Sequence, residues 1–220
     1  MIGERIREIR GMLPEGCELV AVSKFHPAEM IREAYDAGQR VFGESHAQEL
    51  VRKVGVLPED IEWHFIGHLQ TNKVKMVVPH VRLIHSVDSV HLLKEIDRQA
   101  VRLGRRVDCL LQLHIAQEMT KFGFAEEELP GVMELLPELS GVRVRGLMCM
   151  ATNSDDTELV RGEFRRARGI FDDIRGRFFA GDEAFGVMSM GMSDDFRIAV
   201  CEGSTMVRVG SLIFGERVYD

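Results

Sequence analysis

No stretch of this 220-residue chain approaches the ~20 consecutive apolar residues that a bilayer-crossing helix needs, so no membrane-spanning helix is expected. Residues 1–5 lack the basic-then-apolar pattern of a secretory leader. There is no CxxC pair. Cys17, Cys109, Cys149 and Cys201 are scattered, three of them in apolar segments where Cys behaves as a small hydrophobe. A disulfide framework is therefore not expected, and a reduced, cytoplasmic setting is. Positive charge is also in short supply. Lys and Arg number 28 against 35 Asp and Glu, a net charge of −7, which offers no general attraction to nucleic acid or to an anionic membrane. Any anion must be captured by local groups.

Several catalytic signatures are missing too. No P-loop and no Gly-x-Gly-x-x-Gly follows a strand, which removes the usual support for nucleotide triphosphate or dinucleotide binding. No Gly-x-Ser-x-Gly elbow points to a serine hydrolase. His64 and His68 lie four apart, a spacing that pairs ligands only on a helix; the residues around them alternate like a strand, and no metal site is expected. His26, His46, His85 and His114 fall at or just after strand-like ends, where each reads as a mouth residue or as a hydrogen-bonded structural one.

What is present is regular alternation. Residues 2–12 have an amphipathic period, and then strand-like and helix-like segments follow one another. Strands are expected at 18–24, 40–43, 61–66, 82–87, 107–114, 142–148, 184–188 and 205–209. Helices are expected at 28–37, 46–54, 71–78, 89–103, 126–139, 156–177 and 193–200. Eight strands in strict alternation predict an α/β chain forming a single (β/α)8 TIM barrel with an extra N-terminal helix, one domain over residues 1–220. A doubly wound open sheet is the alternative, since a strand count does not prove closure.

Lys24 ends the apolar run from Glu18 and precedes His26-Pro27, which stops the strand. A lysine at the carboxyl end of a barrel strand sits where such folds place ligands, and desolvation would favour its neutral, nucleophilic form. The alternative is a charge solvating a strand end. Late in the chain, Ser189-Met-Gly191-Met192-Ser193 and Arg208-Val-Gly210-Ser211 are glycine turns after the seventh and eighth strands, a frequent phosphate position in barrels. Backbone amides and hydroxyls there suit a phosphate without a cluster of basic residues. Ser193 is also expected to cap the helix that follows. Met148, Met150, Met188, Met190 and Met192 supply either core filling or a soft wall for a planar ring.

The motifs Ala21-Val-Ser-Lys24, Phe42-Gly-Glu44, Trp63-His-Phe-Ile-Gly67, Leu69-Gln-Thr-Asn-Lys73, Arg145-Gly-Leu-Met148, Ser189-Met-Gly-Met-Ser-Asp-Asp195, Gly203 to Ser211 and Ile213-Phe-Gly215 resemble, in order, the pyridoxal-phosphate homeostasis protein family. That family is similar in fold to the barrel of alanine racemase. The resemblance implies pyridoxal 5′-phosphate held as an aldimine on Lys24. It implies the phosphate at Gly191-Met192-Ser193 and Gly210-Ser211, and Arg208 near the pyridine ring. Ser189, Asn72 and Met148 complete the expected cofactor-binding set. The usual Asn-Tyr after Phe-Gly-Glu is Ser45-His46 here, whereas Lys121-Phe-Gly123 matches the family pattern.

An Arg beside the pyridine nitrogen makes a weaker electron sink than the Asp or Glu of many pyridoxal enzymes. Racemisation also needs a second acid/base, which a separate C-terminal domain supplies in alanine racemase, and neither Tyr35 nor Tyr219 is obviously placed for it. The expected role is cofactor storage and delivery, with pyridoxal-phosphate-dependent apoenzymes as partners, affecting amino-acid and keto-acid balance. No catalytic residue is assigned, and the chain is expected to be a monomer. A small amino-acid racemase and an aldolase-like phosphosugar barrel stay open as alternatives.

Overall fold

In a computed structural model, which describes residues 1–116 and 122–215, the eight strands close into a parallel barrel in chain order. They are β1 (Glu18–Val22), β2 (Val41–Glu44), β3 (Glu62–Phe65), β4 (Leu83–Val87), β5 (Val107–Gln112), β6 (Val142–Met148), β7 (Val187–Ser189) and β8 (Met206–Val209). Closure is direct, because Ala21 of β1 pairs with both Phe42 of β2 and Val209 of β8. The barrel expectation therefore holds, and the open sheet is excluded.

The helices are α1 (Ile2–Gly11), α2 (Ala28–Asp36), α3 (Ala47–Val54), α4 (Val74–Val77), α5 (Val90–Arg102), α6 (Leu129–Leu135), α7 (Thr157–Phe178), α8 (Phe196–Cys201) and α9 (Ser211–Phe214). Two of their starts, those of α5 and α7, carry side-chain caps. Ser89 accepts the Leu92 N–H, and Asp156 accepts those of Glu158 and Leu159, which satisfies donors that have no partner within the helix. Among the described residues no helix is long and apolar enough to cross a membrane.

Most expected boundaries move by one or two residues, the helices expected at 71–78 and 126–139 open on 3-10 turns at 71–73 and 126–128, and two starts move by three residues. The seventh strand enters the sheet only at Val187, not 184, because Phe185 turns outward to stack on Phe171 and Phe179. The helix expected from 193 begins at Phe196, and Ser193 does not cap it. Met192 and Asp195 exchange hydrogen bonds instead, N–H to Oδ1 one way and N–H to carbonyl the other, which closes a turn before the helix.

Alternation along the strands sorts the interior. Val20, Val41, Leu83, Leu110, Met148 and Met206 pack as an apolar layer inside the barrel. Two residues on from Leu83 and Met206, on the same faces, come His85 and Arg208. His64 and Ser189 join them by hydrogen bonds, His64 with His85 and Ser189 with both His85 and Arg208. The outward residues, such as Phe42, Trp63, Ile84 and Leu147, make the larger core against the helices.

Candidate functional site

Above that polar layer, at the carboxyl ends of the strands, lies a cavity of about 820 Å³. Lys24, Met192, Ser193, Arg208, Gly210 and Ser211 all line it. Residues 186 positions apart in sequence thus meet because β1 and β8 are neighbours in the closed barrel. Four other expected residues do not line it. Met148 belongs to the apolar layer below, Gly191 is packed beneath the Phe196 backbone, and Ser189 is buried under Arg208. Asn72 lies in a separate surface depression with Thr71 and Ser89. Met150 and Met192, with Val22, provide the apolar wall at this level.

The β7 and β8 loops form a cradle of donors. Among the described residues, the backbone N–H groups of Ser193, Asp194 and Ser211 have no hydrogen-bond acceptor. The Gly210 N–H donates to Ser193 Oγ at 3.3 Å, stitching the two loops together. Gly191 holds φ +96°, and a Cβ there would come 2.7 Å from Ala199 Cβ and 2.9 Å from Phe196 Cα, so the turn depends on glycine. Adjacent amides without acceptors, beside two serine hydroxyls, could hold an anion locally in a chain of net negative charge.

Arg208 forms the floor. Its guanidinium is buried and donates to the carbonyl of Ser189 (3.0 Å), to Ser189 Oγ (2.6 Å) and to the carbonyl of Cys149 (3.0 Å). Burial lowers its pKa from the usual value. Ser189 Oγ lies 3.1 Å from His85 Nδ1, and His85 Nε2 lies 3.0 Å from His64 Nδ1. Burial pushes His64 down to about 3 and His85 well below the ordinary value. Both rings are thus neutral near pH 7, and each must donate on one side and accept on the other. The chain from His64 to Arg208 locks the guanidinium from below.

The rim carries His46, for which a mouth position was one of two readings, together with His68, Gln70 and Lys73. His68 pairs with Asp88 at 3.1 Å and stacks on Phe122. His26 is buried against Phe214, and among the described residues no three potential ligands cluster to hold a metal ion. Tyr35 lies on α2 with its hydroxyl on Asp60, away from the cavity; Lys121 and Tyr219 lie outside the described residues.

The site also includes residues that strand-and-turn reasoning passed over. Glu44, Glu49 and Lys53 gather beneath the Lys24 segment, on the outer side of β2. The available signal was a glutamate ending the apolar run 41–44, nine residues before a lysine on the next helix.

Comparison with known proteins agrees with this fold. The family model described as alanine racemase, N-terminal domain, matches residues 1–218. The pyridoxal phosphate homeostasis protein of Aquifex aeolicus is 39% identical over 227 residues, covering 98% of each chain. PipY of Synechococcus elongatus, solved without PLP, is 39% identical with a TM-score of 0.93, covering 98% of this chain and 100% of that one. The same protein with PLP bound superposes with a TM-score of 0.88. Alanine racemase of Clostridium difficile shares the fold, with a TM-score of 0.75 at 14% identity over all of this chain and 56% of its own.

Proposed function

Because the chain belongs to the pyridoxal phosphate homeostasis protein family and carries the alanine racemase N-terminal domain, we propose that it binds pyridoxal 5′-phosphate in the cavity above Arg208 and holds it as a Schiff base on Lys24. In this reading the protein stores the cofactor and delivers it to other proteins, with effects on amino-acid and keto-acid balance.

The observation that carries the reading is the convergence of three complementary groups on one cavity: an amine, a set of amide donors and a buried guanidinium. They match an aldehyde, a phosphate monoester and a ring nitrogen. The Ser193, Asp194 and Ser211 amides take the phosphate, Arg208 faces the ring, and Met150, Met192 and Val22 flank it. Lys24 would hold the cofactor through its aldehyde, its neutral amine forming the C=N bond with loss of water. When bound, the cofactor supplies an electron sink. A guanidinium at the ring nitrogen leaves that sink weak, because it does not stabilise a protonated ring as a carboxylate does, and this supports holding over turnover.

The test is a spectral titration of the purified protein with pyridoxal 5′-phosphate. The reading expects a saturable visible band that disappears on borohydride reduction, and competition by pyridoxine 5′-phosphate, which lacks the aldehyde. A protein that stays colourless and does not bind either compound sinks the proposal.

A further inference from the structure

The Lys24 segment is clamped from beneath by charged side chains that do not line the cavity. Lys53, on α3, is only 6% exposed. Its Nζ lies 2.7 Å from Glu44 Oε1, 2.7 Å from Glu49 Oε1 and 2.8 Å from the carbonyl of Ser23. Ser23 Oγ donates to Glu44 Oε1 at 2.6 Å, and the Phe25 N–H donates to Glu49 Oε1 at 2.7 Å. The residues immediately before and after Lys24 are therefore each fixed by this cluster.

Two features show that the arrangement is costly. Phe25 is the one non-glycine residue with positive φ among the described residues, at +67°, a region strained for a bulky side chain. Its ring is partly exposed, so burial does not account for the strain; the hydrogen bonds on either side of it do. Glu44 is fully buried, and its Oε2 has no partner. Buried charges of this kind weaken a fold relative to apolar packing unless they fix a conformation. Here the conformation fixed is the turn that carries Lys24.

We propose that Glu44, Lys53 and Glu49 are positioning residues for Lys24, an ionic clamp that holds the Phe25 turn so that the lysine amine faces the cavity. The inference rests on the reading of that cavity as the cofactor site. A merely structural cluster, holding α3 against β2, is the competing account.

Three measurements on the full chain separate them, using Glu49→Ala, Glu49→Gln and Lys53→Met. The first is amide exchange at Phe25 in cofactor-free protein; the second, the rate of borohydride-trappable attachment of pyridoxal 5′-phosphate. The third is equilibrium binding of pyridoxine 5′-phosphate, which needs the cradle but not the amine. A displacement of about 1 Å can cost about a hundredfold in rate. Glu49→Ala is accordingly expected to slow attachment by about that factor, to raise exchange at Phe25 by about tenfold, and to leave pyridoxine 5′-phosphate affinity unchanged. Glu49→Gln, whose amide oxygen still accepts from Phe25, recovers most of the rate. Lys53→Met should match or exceed the alanine variant; if it does not fold, Glu49→Ala decides. Attachment at the unaltered rate, or a parallel loss of pyridoxine 5′-phosphate affinity, overturns the clamp. Failure of the unaltered protein to attach the cofactor overturns the cofactor reading instead, and the exchange at Phe25 still tests whether the clamp orders the turn.

Discussion

The two ends of the barrel both carry a depression lined with charged residues, yet only one leaves backbone donors open towards it. At the amino-terminal end of the strands, a cavity of about 510 Å³ is lined by Arg10, Glu18, Gln39, Arg40 and Glu62. Its donors are engaged. Arg10 donates to the Gly38 carbonyl and to Gln39, Arg40 to the carbonyls of Tyr35 and Gln39, and Gln39 to those of Leu19 and Val41. At the carboxyl end, the Ser193, Asp194 and Ser211 amides have no acceptor among the described residues. Charge therefore does not mark the site, since each end has it. Donors held in place without acceptors mark it, because leaving them so is unfavourable unless water or a ligand completes them.

The largest effect that would break this contrast is at Lys24. Lys24→Ala is expected to abolish the visible band and all borohydride-trapped cofactor, while pyridoxine 5′-phosphate still binds, as equilibrium dialysis can show. Undiminished trapping would remove the covalent assignment. Next comes Gly191→Ala, which forces a Cβ against Ala199 and Phe196 at positive φ. It should cost about 1–3 kcal/mol of stability and weaken inorganic phosphate binding. Calorimetry that finds both properties unchanged would show that the cradle does not depend on this turn.

The layer between the two ends gives a pH dependence of defined sign. His64 is held at about 3 when folded, against an ordinary 6.5, and His85 moves the same way. Their stabilisation is complete above 6.5 and is lost as the pH falls from there towards 3. Glu44 acts oppositely. Its pKa is raised from 4.5 to about 7, so the folded state holds that proton longer and stability declines as the pH rises through that window. Denaturant midpoints against pH should show a net rise between 4.5 and 6.5, steeper in Glu44→Gln and shallower in a His64→Gln variant. Midpoints that ignore both substitutions would contradict the neutral-histidine layer. The smallest effect is expected at the far end. Arg40→Ala removes part-buried hydrogen bonds to two carbonyls and an exposed ion pair with Asp60 and should lower Tm by only about 2–4 °C, with pyridoxine 5′-phosphate affinity unchanged. A loss of affinity there would dissolve the distinction between the ends.

Much of this was legible in the residues because it is periodic. The strand at 142–148 was readable to the residue, and the number and order of the strands follow from the count of alternating units, whereas closure is fixed only by the pairing of β1 with β8. The turns at Gly191 and Gly210 announced themselves by glycine and serine after strands. What was not legible depends on neighbours far apart in sequence. Ser193 looks like a helix cap, but Asp195 competes for the same turn and wins through Met192. Phe185 looks like a strand residue until α7 presents Phe171 to it. Met148 and Met150 differ by two positions and by a whole layer of the interior, which composition does not reveal. The Glu44–Lys53 clamp needs β2 and α3 docked before its charges meet.

The most direct test of the covalent hold is to load the unaltered protein with pyridoxal 5′-phosphate, reduce it with borohydride, digest it and map the adduct by mass spectrometry. The account predicts one pyridoxyl adduct, on the peptide that carries Lys24. An adduct on a different lysine in place of Lys24, or none, would contradict it.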